Sequence, residues 1–173
     1  MPRAPRRQTI FVLVFLIVVV LFMTTFRMGV VRGASMETTF VNGQVVLVQR
    51  SNWFSGALHH KDVVLLRKDR DVIIKRIYRL PGEEIVGSFP NVREFTRRNG
   101  LTDYYEQTTV DTPTGPETRY FVPKNYIVVL GDNLSVSEDS RFFGPVPIRD
   151  VLGSVVNAPG PPFSESAPKH KLF

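Results

Sequence analysis

The sequence predicts a mainly β fold: a single N-terminal transmembrane helix, then an antiparallel β-sheet or barrel-like domain carrying a small β insertion. Three observations predict it. One unbroken apolar run lies near the N-terminus. Short β-branched runs bounded by turn residues recur after it. No stretch beyond residue 30 holds a helical period for three turns. The 173 residues suffice for one domain of ordinary size plus an anchor.

Residues 10–23 are apolar throughout, and Thr9, Thr24, Thr25 and Phe26 extend the run. As a helix, residues 9–26 would measure about 27 Å, close to the roughly 30 Å of a bilayer's hydrocarbon. The run has no polar face, which argues against an amphipathic surface helix. Arg3, Arg6 and Arg7 precede it and place residues 1–8 in the cytoplasm by the positive-inside rule. Arg27 and Arg32 follow closely and weaken that assignment. A cleaved secretory leader shares the basic start and apolar middle, but residues 27–32 offer no small-x-small cleavage site. An uncleaved single-pass anchor is the better reading.

Residues 44–49 (QVVLVQ), 62–67 (DVVLLR), 72–80 and 126–130 (YIVVL) read as strands. Asn42-Gly43, Ser55-Gly56, Pro81-Gly82 and Gly131-Asp132-Asn133 supply turns between them. Together they make residues 27–156 one β-rich domain. Residues 87–123 are more polar, with turn signals at Asn99-Gly100, Pro113 and Gly115-Pro116, and read as an inserted hairpin or ribbon. Residues 157–173 have no pattern worth burying and are expected to form a flexible tail.

Lys and Arg number 22 against 16 Asp and Glu, a net charge of +6. That balance suits an anionic lipid surface or nucleic acid, and charge alone does not choose between them. There are no cysteines, which excludes disulfides, Cys-ligated zinc and a Cys nucleophile. His59 and His60 are adjacent, which suits neither a helical metal pair nor a strand pair on one face, and His170 falls in the tail. All three read as solvated loop residues, so a Ser-His-Asp triad is set aside.

Nucleophilic catalysis without histidine needs another base, and a lysine held neutral can serve. Lys75 lies in V-I-I-K-R-I-Y-R-L, where strand alternation puts it on one face with Ile73 and Ile77, and Arg76 on the other with Ile74 and Tyr78. Isoleucines on both sides disfavour the ammonium. Bringing a lysine from about 10.4 to near 8 takes roughly 3 kcal/mol. An edge-strand lysine that snorkels to water is the reading this segment alone favours. Ser35, in G-A-S-M-E-T-T, follows two small residues that let an extended peptide approach. Taken alone it is a turn or cap serine. It also stands nine residues past Phe26, at most about 30 Å of extended chain from the bilayer. Residues 131–147 (GDNLSVSEDSRFFGPVP) collect Ser135, Ser137 and an Asp139/Arg141 pair after a strand. Such a stretch is either a polar loop or a set of groups that orient an amine.

In order along the chain, G-A-S-M-E-T-T, D-V-V-L-L-R, K-R-I-Y-R-L-P-G-E-E-I and G-D-N-x-S-x-S-x-D-S-R-x-x-G-P-V-P resemble the boxes of the type I signal peptidases, membrane-bound Ser–Lys proteases. With the anchor, the resemblance covers most of residues 10–152. It implies that Ser35 is the nucleophile, with its own N–H contributing to an oxyanion hole, and that Lys75 is the general base. Ser137 would orient the Lys75 amine, while Arg76, Asp132, Asp139 and Arg141 brace the site. It further implies a β-fold with a shallow cleft for small residues, no metal and no cofactor. The expected partners are exported preproteins and the lipid bilayer, with no nucleic acid, acting as a monomer. The catalytic domain would lie on the outer face of the cell membrane.

Two positions depart from the pattern. Thr38 stands where the boxes usually carry proline, and Gly33 where a hydroxyl often supplements the oxyanion hole. Loss of one such donor costs about 3 to 4 kcal/mol, so a backbone or water replacement, or a slower enzyme, is expected. The competing readings are a membrane-tethered β-domain that binds exported chains without cutting them, and a Ser–Lys self-cleaving regulator. The latter would carry a scissile Ala-Gly, and this chain has none.

Overall fold

The computed structural model describes residues 6–50, 57–85, 105–156 and 158–160. Helix α1 spans Arg6–Thr25, twenty residues or about 30 Å, and its apolar side chains are exposed on every side. Among the described residues it is the one helix long and apolar enough to cross a membrane. Thr24 Oγ1 donates to the carbonyls of Val20 and Leu21, both at 3.0 Å, so its hydroxyl is satisfied within the helix. The helix starts earlier than expected and stops one residue sooner. Phe26, expected to extend the anchor, opens a strand instead, because its backbone pairs with Gln49.

The strands are β1 (Phe26–Val30), β2 (Val45–Arg50), β3 (Val63–Lys68), β4 (Asp71–Arg79), β5 (Glu106–Thr112), β6 (Gly115–Phe121), β7 (Tyr126–Leu130), β8 (Val146–Pro147) and β9 (Val151–Val155). A single-turn helix, α2 (Ser140–Phe143), lies between β7 and β8. Seven strands form one antiparallel sheet in the order β1-β2-β9-β3-β4-β7-β8, and β5-β6 form a separate hairpin. The four expected strands appear as β2, β3, β4 and β7. β1 was hidden against the anchor. β9 was hidden by the glycine in V-L-G-S-V, and this strand, the last among the described residues, inserts between β2 and β3.

Each face of the sheet carries a buried core. On β3, Val63 joins Val31, Met36, Phe40, Val46 and Val48 on one side, while Val64 and Leu66 join Ile77, Ile127 and Val129 on the other. This explains why the strand is apolar without alternation: successive residues point to opposite cores. A third cluster of Tyr105, Val122 and Val128, with Tyr78 and Tyr120 against it, fastens the β5-β6 hairpin to the sheet. The hairpin falls within the expected 87–123 insertion. Asn99-Gly100, Ser55-Gly56 and His170 lie outside the described residues.

The segment expected to be a flexible tail begins packed. Ala158 lies against the Val31–Met36 core, and the Pro159 carbonyl accepts a hydrogen bond from Arg76 Nη1 at 3.2 Å. The partner comes from β4, 83 residues earlier, which no local pattern could show.

Gly153 of β9 lies where a side chain would have to share space with the Gln49 carbonyl and the Arg50 backbone. Both obstacles are main chain and cannot swing away. Gly153→Ala should therefore lower stability by about 1–3 kcal/mol, read from denaturant unfolding of the detergent-solubilised protein.

Candidate active site

Strand β4 supplies two neighbouring cations to opposite faces. Lys75 stands opposite Val64, on the face of Ile73 and Ile77, and is 4% exposed. Its Nζ donates to Ser137 Oγ at 3.1 Å. Burial lowers its pKa from the ordinary 10.5. Asp139 and then Glu138 pull it back up, Arg141 pushes it further down, and Asp132 adds a smaller pull upward.

Arg76, opposite Val63, is 2% exposed. It grips Asp132 with both ends of its fork, Nε to Oδ1 at 2.8 Å and Nη2 to Oδ2 at 2.7 Å. Its remaining donors reach the Lys61 carbonyl at 2.9 Å, the Pro159 carbonyl and Thr39 Oγ1 at 3.3 Å. One guanidinium thus ties together β4, the loop after β7, the serine turn and the segment beyond β9.

Ser35 is half-buried in the turn that follows β1. Its neighbour Met36, 1% exposed, plugs the core, and the Met36 carbonyl accepts from the amides of Thr39 at 3.1 Å and Phe40 at 2.9 Å. The turn is therefore held by its own backbone and by one buried side chain, leaving Ser35 at the wall of a cleft that Lys75 also lines. Among the described residues nothing accepts the Ser35 amide hydrogen and nothing bonds its hydroxyl.

The two departures from the family pattern have a common conformational setting. Gly33 has φ +86° and Thr38 has φ +91°. A hydroxyl-bearing residue at 33 would be strained, and a proline at 38 is excluded because its ring fixes φ near −65°. This turn has a shape of its own, and Gly33 contributes its N–H to Asn42 Oδ1 at 3.0 Å.

The loop after β7 clips the site together. Asn133 N–H donates to the Ser35 carbonyl at 3.0 Å, and the Asn133 carbonyl accepts from the Ser137 amide at 3.0 Å. Asp139 is fully buried. Its Oδ1 accepts from Arg141 N at 3.2 Å and Nε at 2.8 Å, and its Oδ2 from Arg141 Nη2 at 3.0 Å and Gly131 N at 3.1 Å. It also caps α2. Gly131 was legible only as a turn former, yet its φ is not positive. Its constraint is space, since a Cβ there would strike both Ser137 Oγ and the Ser35 carbonyl. Ser140, which accepts the Val129 amide at 2.9 Å, and Thr39 were not singled out either. Their signal was their place in the boxes alone.

The described histidines stand elsewhere. His60 Nε2 meets Glu83 Oε1 at 2.6 Å, His59 lies beside Asp62, and neither lines the cleft. Among the described residues no three His, Cys, Asp or Glu converge as a metal site.

Residues 6–158 match the family described as signal peptidase, peptidase S26. Signal peptidase I V of Bacillus subtilis is 32% identical over 138 residues, covering 74% of this chain and 82% of that one. Signal peptidase IB of Staphylococcus aureus (strain Mu50) is 28% identical over 139 residues, covering 72% and 73%. A signal peptidase I structure from Enterococcus faecalis V583 overlaps at a TM-score of 0.37 with 23% identity, covering 58% of this chain and 98% of that one. The chain belongs to the signal peptidase family, peptidase S26. It is a serine endopeptidase that removes signal peptides from exported preproteins.

Asp132→Ala should cost about 3–5 kcal/mol in an unfolding titration, because it leaves the Arg76 cation buried without its counter-charge. A loss below about 1 kcal/mol would mean that the carbonyls around Arg76 suffice to hold it.

Proposed function

We propose that Ser35 and Lys75 form the catalytic dyad of this signal peptidase. The observation that carries the reading is the buried Lys75 amine, bonded to Ser137 and lining the same cleft as Ser35. Neutral Lys75 accepts the Ser35 Oγ proton as that oxygen attacks the scissile carbonyl carbon. The tetrahedral oxyanion forms beside the Ser35 N–H. When the C–N bond breaks, the Lys75 ammonium returns the proton to the departing amine. Water then attacks the acyl-enzyme, giving its proton to Lys75, and the new carboxyl terminus leaves as Ser35 Oγ is reprotonated.

Ser137 positions the amine by accepting one of its hydrogens, and Arg76–Asp132 and Asp139–Arg141 hold the loop that carries Ser137. In this reading residues 1–8 are cytoplasmic, residues 9–26 span the membrane, and residues 27–156 form the catalytic domain on the outer face, acting as a monomer. Confinement of enzyme and preprotein to one bilayer raises their effective concentration, which offsets short recognition.

The test is cleavage of an exported preprotein by the detergent-solubilised protein. Ser35→Ala should abolish it and Lys75→Ala should lower kcat by about 10²–10⁴-fold. Cleavage that persists in Ser35→Ala, or that stays within about tenfold of wild type in Lys75→Ala, removes the dyad, and an inactive wild type favours a binding module. The base must be uncharged, so the rate should rise with pH through a value below 10.5 and fall away on the acid side. A midpoint at or above 10.5 contradicts a depressed Lys75.

Lys75 also makes a stability prediction. Its pKa is lower folded than unfolded, so between the two values the unfolded chain binds more protons and stability rises with pH. Lys75→Met should therefore unfold at higher denaturant than wild type near neutral pH. That advantage should shrink as pH climbs toward 10.5.

A further inference from the structure

The cleft beside Ser35 is walled by aliphatic side chains from β1 to β4, among them Val46, Leu65 and Ile74, and among the described residues no Asp or Glu lines it. Two cationic residues do: Lys75 and Arg32. They differ in kind. Lys75 is buried and bonded to Ser137, and burial lowers its pKa. Arg32 is exposed, carries a guanidinium, and has no hydrogen bond or ion pair among the described residues. Low-dielectric walls around one permanent charge focus its field into the cleft.

We propose that Arg32 is a specificity-determining residue, forming a subsite for a carboxylate carried by the substrate peptide within three residues of the scissile bond. The proposal rests on the reading of Ser35 as the nucleophile. Arg32 precedes Ser35 by three residues, so their α-carbons are no more than about 11 Å apart. An extended peptide advances about 3.3 Å per residue, so the same length covers three residues of substrate. A guanidinium takes a carboxylate as a two-pronged partner. An Asp or Glu near the cut is therefore the chemistry this position fits, and a Lys or Arg there is disfavoured.

The experiment uses the full-length protein in detergent and peptides spanning a signal-peptide cleavage site. The peptides differ only by Asp or Asn at each of the three positions on either side of the bond. Wild type should show, at one position at least, a kcat/KM about two- to five-fold higher for Asp than for Asn. That ratio should fall in 0.5 M salt, as screening of an exposed charge requires. Arg32→Gln should bring it to one, and Arg32→Glu should invert it. A ratio of one at every position in wild type, or an unchanged ratio in Arg32→Gln, overturns the proposal. The same assay is repeated in anionic-lipid vesicles, where an Arg32→Gln loss that is equal for both peptides and absent in detergent also overturns the proposal, making Arg32 a contact to lipid phosphate. Cleavage that persists in Ser35→Ala would instead overturn the nucleophile on which the proposal stands.

Discussion

Desolvation governs Lys75, lowering its pKa against the pull of the carboxylates around it. The side chain is 4% exposed and opposes a fully buried valine. Three carboxylates nearby favour the ammonium, yet two of them are engaged elsewhere. Asp132 is held by both prongs of Arg76, and Asp139 by Arg141 and the Gly131 amide. A carboxylate already paired with a guanidinium projects a weaker field on a third group, so burial prevails and the pKa falls. The two ion pairs thereby serve Lys75 as much as they serve the fold.

The same pairs determine geometry. Burying Arg76 and Asp132 is costly unless every donor is matched, and Arg76 finds matches in four separate segments. That requirement locks the serine turn, the loop after β7 and the residues past β9 into one arrangement around β4. Gly131 allows the closest approach, where the Ser35 carbonyl and the Ser137 side chain share the space a methyl would occupy. Such contacts hold the site in one arrangement through its own side chains and backbone.

Much of the fold was legible because β-branched runs and turn residues act locally. Residues 126–130 became β7 without adjustment, and V-I-I-K-R-I-Y-R became β4 with Lys75 on the face that alternation assigns. What escaped had weak local signals. F-R-M-G-V and V-L-G-S-V are strands because β2 and β3 offer them partners. Ala158 and Pro159 are packed because Arg76 and the Val31–Met36 core reach them.

The sequence by itself determined the apolar N-terminal helix, the antiparallel β class and the identity of Lys75 and its bracing charges, since periodicity and order along the chain carry that information, whereas the place of Arg32 in the cleft was not legible in it. It left open whether Lys75 points to water or to the interior, and whether Ser35 caps a turn or faces a cleft. Tertiary structure decided both. Desolvation and steric closeness depend on what other strands bring alongside, and residues 35, 75 and 137 become neighbours only once the sheet has formed.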